Sequence, residues 1–291
     1  MSNFLVGTGI ALATPFNTDR TIDFDGLTRL VNHCIEGNVE YLVVLGTTAE
    51  SVTLSKEEKK QITDHIIKVN NKRLPLVIGV GGNNTQEILD QIAEVDVENF
   101  QAILSVVPMY NKPSQQGIFQ HYTALADNAK LPILLYNVPS RTGVNMTAET
   151  TLRLAQHDNI IGIKEATDNI AQVLEIIKSA PVGFKVVSGD DLLALSLVTA
   201  GGHGVISVVG QAFPEDFSES IRLGLESKNT EAYTGMYKLT DAIDYAFQEG
   251  NPVGIKALLK AQNICESVVR LPLVQASEEL ENKIQAFIEQ Y

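Results

Sequence analysis

Short apolar runs alternate with amphipathic stretches along most of this 291-residue chain. The runs are Ile10–Thr14, Tyr41–Leu45, Leu76–Val80, Ala102–Val107, Ile133–Tyr136, Ile160–Lys164, Phe184–Ser188 and Gly204–Val209. Strands that are apolar on both faces belong in a parallel sheet covered by helices. The runs recur at intervals of roughly 20–35 residues, about one strand–helix unit each. The stretches between them read as helices. Leu27, Leu30, Val31, Cys34 and Ile35 follow helical spacing, and Gly37 is placed to end that helix. Ser55 with Glu58, and Asn84 with Glu87, each predict a capping box ahead of an apolar helical stripe.

Eight such units predict an α/β fold, a closed parallel (β/α)8 TIM barrel. The alternative is a doubly wound sheet, which usually carries a glycine-rich phosphate loop after its first strand. Here the first run leads to Thr14-Pro15-Phe16 instead. From Pro214 to Tyr291 no strand-like run follows, and the segment reads as helical. The expected organisation is therefore a barrel over residues 1–213 and a C-terminal helical extension over 214–291, packed on the barrel.

Composition narrows the function classes. The chain is 44% hydrophobic and 20% charged, values of an ordinary globular protein. Its formal net charge of −13 opposes nucleic acid and anionic membrane surfaces, so neither is an expected partner. An anionic substrate then needs a local cationic pocket. Cys34 and Cys265 lie far apart with no CxxC, which argues against a disulfide framework or cysteine zinc site and for a reducing cytosol. Met1–Gly9 has neither the basic region nor the apolar core of a signal peptide. No apolar run is long enough to cross a bilayer. The expected location is cytoplasmic. The histidines at 33, 65, 121, 157 and 203 show no HxH or HExxH spacing, so no metal is expected.

Catalytic groups of such a barrel sit at the C-terminal ends of the strands and in the loops beyond them. Lys164 ends the sixth run, and alternation puts Ile160, Gly162 and Lys164 on one face. If that face is the barrel interior, Gly162 leaves room beneath the lysine. An amine kept from water is more readily neutral, and neutral amine attacks carbonyls. A surface lysine at a strand end is the competing reading. Tyr136 ends the fifth run, where a phenol can shuttle protons or merely pack over the barrel mouth. Arg141, in the next loop, can bind a carboxylate bidentately or lie solvated. The turn Gly46–Ser51 offers hydroxyls and backbone N–H groups to an anion, or caps a helix. Tyr110 alone is a loop aromatic. Gly201-Gly202-His203-Gly204 enters the eighth run and reads as a tight turn rather than a phosphate site.

Taken together, GTTAES at 46–51, PMYNKPSQQG at 108–117, YNVPSRTG at 136–143, GIKEAT at 162–167, SGDD at 188–191 and GGHGVISV at 201–208 resemble the dihydrodipicolinate synthase / N-acetylneuraminate lyase family of class I aldolases. The pieces fall in the family's order and extend from Thr14-Pro15 to Arg270-Leu271-Pro272. The doubled Thr47-Thr48 and the arginine of YNVPSRTG resemble the dihydrodipicolinate synthase branch. The sugar-acid aldolases, the alternative within the fold, usually lack that arginine. A non-catalytic barrel is the alternative outside enzymes.

The resemblance implies a pyruvate Schiff base on Lys164, no other cofactor, and L-aspartate 4-semialdehyde as second substrate, on the route to diaminopimelate and lysine. It assigns proton transfer to Tyr136, with Thr47 and Tyr110 as relay partners. It gives the pyruvate carboxylate to Thr48, a main-chain contact to Ile206, and the semialdehyde carboxylate to Arg141. It also implies a homotetramer of tight dimers, with Tyr110 reaching into the neighbour's site. Three positions depart from the family pattern. Ala49 replaces the glycine of GTTGE, at a cost on the order of 1 kcal/mol if that position has φ > 0. Met109 replaces a tyrosine at the tight interface. Lys56 and Lys59 stand where lysine-sensitive members tend to carry histidines, which predicts weak or absent feedback inhibition by L-lysine, although Ser51, Asn83 and Glu87 match that pocket.

Overall fold

The computed structural model describes residues 3–291. Met1 and Ser2, with which the expected barrel segment began, lie outside the described residues. Eight parallel strands close on themselves in sequence order: β1 (Gly7–Ala11), β2 (Tyr41–Val44), β3 (Leu76–Gly79), β4 (Ala102–Val106), β5 (Ile133–Asn137), β6 (Ile160–Glu165), β7 (Lys185–Ser188) and β8 (Gly204–Ser207). The β1–β8 pairing, Gly7 opposite Gly204 through Ile10 opposite Ser207, completes the barrel. Each apolar run contributes a strand, but the first is displaced. Its strand begins at Gly7 and ends at Ala11, so Leu12–Thr14 already belong to the loop above the barrel.

Two apolar layers follow from strand alternation. Ala11, Val43, Val77, Leu104, Leu134, Val187 and Ile206 point inward and pack with Leu5 and Tyr41. Ile10, Leu42, Ile78, Ile103, Ile133 and Ile163 point outward, under the helices. The interior is thus a packed core with its open end at the strand C-termini.

The outer helices obey local signals closely. The helix Phe24–Glu36 buries Leu27, Leu30, Val31 and Cys34 and ends at Gly37. The helix Lys56–Asn70 starts with the predicted capping box: Glu58 N–H donates to Ser55 Oγ at 3.1 Å, and Ser55 N–H to Glu58 Oε2 at 2.9 Å. The second predicted box is only half present. Asn84 caps the helix Thr85–Ala93 by accepting from Gln86 N–H, without a return bond from Glu87. A short Asn side chain satisfies the nearer N–H and leaves Glu87 free.

The helix Pro214–Leu225 packs on β1 and on the helix Phe24–Glu36, so by packing it completes the barrel's outer ring. The extension proper is the set of helices Asn229–Tyr237, Thr240–Gln248, Val253–Ala261 and Glu278–Gln290. It is pinned to the barrel mouth by a buried ion pair. Lys256 Nζ binds Glu50 and also donates to the Val268 carbonyl at 2.8 Å, both side chains being essentially without solvent exposure. Arg270 N–H donates to the other Glu50 oxygen at 2.9 Å. Arg270 itself forms a two-pronged bond to Glu58. Among the described residues, no helix is long and apolar enough to cross a membrane.

Candidate active site

The β5–β6 register decides the centre of the site. Tyr136 and Lys164 are directly paired across the two strands, and Lys164 Nζ lies 4.6 Å from the centroid of the Tyr136 ring. Both side chains are buried, 7% and 6% exposed, at the mouth of the barrel.

Lys164 faces inward for a different reason than simple alternation from Ile160. The register slips between Ile133/Ile160 and Leu134/Gly162, leaving Ile161 as an extra residue on β6. Ile160 therefore packs in the outer layer and Ile161 against the inner one. Alternation restarts at Gly162, and from there Lys164 points inward and Ile163 outward. Gly162 itself serves the neighbouring strand. A Cβ there would stand 2.3 Å from the Lys185 carbonyl oxygen, so the glycine admits β7 rather than making space beneath the lysine. The residue that does give Lys164 room is Gly189, just after β7. A Cβ at that position would come 2.9 Å from Lys164 Cε.

Most of the rest of the pocket comes from the loops above the strands. Thr47 and Thr48 lie in the 3-10 turn Thr47–Ala49 after β2. Arg141 lies in the short helix Pro139–Thr142 after β5, opened by a proline and closed by Gly143 in the left-handed region. Thr47, Thr48, Tyr136, Arg141 and Lys164 line one pocket, together with Gly189, Phe247 and Asn251. The left-handed residue of the threonine turn is Glu50 (φ 53), not Ala49, so Ala49 carries no such strain. Instead its carbonyl accepts from Thr14 Oγ1 at 2.8 Å, which ties the turn to the loop after β1.

Two sequence-predicted residues lie elsewhere. Ile206 is fully buried on β8, beside Gly9 of β1, in the barrel's inner apolar layer. Tyr110 is 89% exposed in the loop after β4 and does not line the pocket. Among the described residues, no hydrogen bond joins Tyr136 to Thr47 or Tyr110.

Buried carboxyls brace the strand ends from behind. Glu165 follows Lys164 and points away from the pocket, accepting from Asn137 Nδ2 at 2.9 Å and from Gln172 Nε2 at 3.2 Å. Burial pushes its carboxyl up to about 7, against the opposing pull of those bonds. Asp191 accepts from the N–H groups of Val208 and Val209 at 3.0 and 2.9 Å, joining the loops after β7 and β8. Burial raises it to about 6. Neither Phe247 nor Asn251 carried a sequence signal, because both belong to helical-extension segments with no local mark of chemistry. Their role depends on where the extension docks.

The description Dihydrodipicolinate synthetase family matches residues 5–291. The chain is 50% identical over 286 residues to the 4-hydroxy-tetrahydrodipicolinate synthase of Flavobacterium psychrophilum, covering 98% of each. Among solved structures, it is similar to the chloride-inhibited dihydrodipicolinate synthase of Acinetobacter baumannii in complex with pyruvate (TM-score 0.94, 36% identity, 98% of each chain). It is equally similar to a monomeric dihydrodipicolinate synthase variant (TM-score 0.95, 34% identity, 99% of this chain and 97% of that one). The chain belongs to the dihydrodipicolinate synthetase family.

Proposed function

We propose that this enzyme is a lyase that condenses pyruvate with L-aspartate 4-semialdehyde to give 4-hydroxy-tetrahydrodipicolinate, in the diaminopimelate route to lysine. The observation that carries the reading is the buried Lys164–Tyr136 pair lining one pocket with Thr47, Thr48 and Arg141. The amine adds to the pyruvate carbonyl, and the carbinolamine loses water to give an iminium. Loss of a methyl proton gives an enamine, whose carbon attacks the aldehyde. The substrate's amino group then attacks the iminium carbon, closes the ring and frees Lys164. Tyr136 is the proton donor and acceptor for these steps, beside the nitrogen that needs it. Thr47 and Tyr110 are its relay partners, Thr48 holds the pyruvate carboxylate, Ile206 offers its main chain to pyruvate, and Arg141 holds the semialdehyde carboxylate. The iminium is the electron sink, so the chemistry needs no further cofactor.

The assembly we propose is a homotetramer of tight dimers, in a reducing cytoplasm. Tyr110, in the loop after β4, and Val52, in the 3-10 turn Ser51–Thr53, are 89% and 90% exposed hydrophobic groups suited to burial against a second copy. Light scattering reporting a monomer at assay concentration would refute this. L-Lysine is expected to inhibit weakly or not at all. Lys56 and Lys59 stand where lysine-sensitive members tend to carry histidines. Glu94, 2.9 Å from Lys56, offsets part of that charge, and Lys59 supplies the rest against a cationic effector. Tight cooperative inhibition in a lysine titration would contradict that.

Borohydride reduction in the presence of pyruvate tests the central claim. The expected result is a mass increase on the peptide holding Lys164. Turnover with aspartate semialdehyde, compared with sugar-derived aldehydes, then tests the second substrate.

A further inference from the structure

One residue of the helical extension touches both carboxylate-binding side chains. Asn251 lies between the helices Thr240–Gln248 and Val253–Ala261 and lines the pocket, 8% exposed. Its Nδ2 donates to Thr48 Oγ1 at 3.0 Å. Its main-chain oxygen accepts from Arg141 Nη2 at 3.1 Å. Its side-chain oxygen is buried and has no hydrogen-bond partner among the described residues.

We infer that Asn251 is a positioning residue for pyruvate recognition, acting through Thr48. The inference rests on the pyruvate reading above. A threonine hydroxyl has one proton and two acceptor sites. When it accepts from Asn251, its own proton remains free for a carboxylate in the pocket. The reversed amide would accept that proton instead and withdraw it from the substrate. The orientation seen leaves Asn251 Oδ1 without a partner, and an unpaired buried carbonyl lowers stability. A fold selected for stability alone would place an apolar side chain here. The chain instead keeps an amide whose useful face is turned to Thr48.

The two contacts of Asn251 separate by chemistry. The bond to Thr48 uses the side chain, whereas the bond to Arg141 uses the backbone and survives substitution. Side-chain variants therefore weaken pyruvate recognition selectively.

The test is steady-state kinetics with pyruvate and aspartate semialdehyde, alongside thermal melts, on wild type, Asn251→Ala, Asn251→Asp, Thr48→Val and the double variant Asn251→Ala/Thr48→Val. In Asn251→Ala the KM for pyruvate should rise roughly tenfold, the worth of one hydrogen bond to a group that binds an ion, with the semialdehyde KM nearly unchanged. Asn251→Asp, nearly isosteric, should raise the pyruvate KM further, because its carboxylate claims the Thr48 proton and repels the substrate. If Asn251→Ala does not fold, Asn251→Asp carries the test. In the double variant the Asn251 change should add nothing to Thr48→Val, because the two act as one unit. An unchanged pyruvate KM in folded Asn251 variants overturns the inference, as does full additivity with Thr48→Val. So does an equal rise of both KM values with a falling melting temperature, which marks a purely structural role. Borohydride trapping separates the two levels. No adduct in the wild type overturns the pyruvate reading and this inference together, while a normal wild-type adduct with indifferent variants overturns this inference alone.

Discussion

The two walls of the pocket are built on different principles. On one side, Lys164 and Tyr136 stand on adjacent strands, and backbone register alone sets them together. On the other, Thr48 and the turn around Glu50 depend on polar contacts from residues about two-thirds of the chain away. Asn251 reaches Thr48 across 203 positions, and Lys256 reaches Glu50 across 206. A barrel strand cannot turn one side chain without breaking its ladder. A loop can, and its orientation is fixed only by its partners. In the function proposed above, chemistry falls to the rigid wall, and carboxylate recognition to the wall that a separate packing unit must complete. The two walls should fail in different ways.

Loss of the proposed nucleophile should have the largest functional effect. Lys164→Ala should abolish the reducible pyruvate adduct and lower kcat on the order of 10³-fold or more, with a melting temperature close to wild type. A retained adduct would move the chemistry off the strand wall. Lys256→Met should be the largest stability effect. It strands the buried Glu50 carboxylate, and breaking such a pair costs about 3–5 kcal/mol, read from the denaturant midpoint. The pyruvate KM of the surviving folded protein should rise as the threonine turn loosens. A loss below about 1 kcal/mol would mean that the extension does not brace the turn.

Gly189→Ala is a milder attack on the strand wall. The added methyl meets Lys164 Cε at 2.9 Å and Ala166 Cβ at 2.7 Å. Overpacking of this kind costs about 1–3 kcal/mol, and adduct formation should slow about tenfold as Lys164 leaves its rotamer. Single-turnover trapping kinetics would measure this, and a normal rate would show that the lysine has room to spare. The smallest effect is on pH dependence. Glu165 holds its proton up to about 7 when folded, against an ordinary value of 4.5. Between those values the unfolded chain binds fewer protons, so this group's contribution to stability is lost as pH rises from 4.5 through about 7 and changes little above. Glu165→Gln, neutral throughout, should flatten the melting temperature across that window. An unchanged slope would place the titration elsewhere.

Much of the strand wall was legible in the chain. The eight apolar runs mark the eight strands, and alternation put Gly162 and Lys164 on one face, which the structure shows to be the interior. The Ile161 bulge was not legible, because an extra residue in a run of isoleucine and glycine leaves no trace in hydrophobicity. It moved Ile160 to the outer layer yet left Lys164 in place, since alternation from Gly162 onward is unaffected. On the loop wall, the threonines and Arg141 were identifiable by type and by family resemblance. The strain expected at Ala49 falls instead on Glu50, the turn's left-handed residue, whose carboxylate binds Lys256 and the Arg270 N–H.

What the sequence by itself determined is the barrel and the places of Lys164 and Tyr136 at the ends of neighbouring strands. Strand periodicity and helix caps are local, and each is read within a few residues of where it acts. What only the tertiary structure decided is the company that Thr48, Glu50 and Arg141 keep. Asn251, Phe247, Lys256 and Arg270 reach the mouth only when the extension docks on the closed barrel. Contacts of that range leave no period in the chain, because they are made by the closure of the fold rather than by any one segment of it.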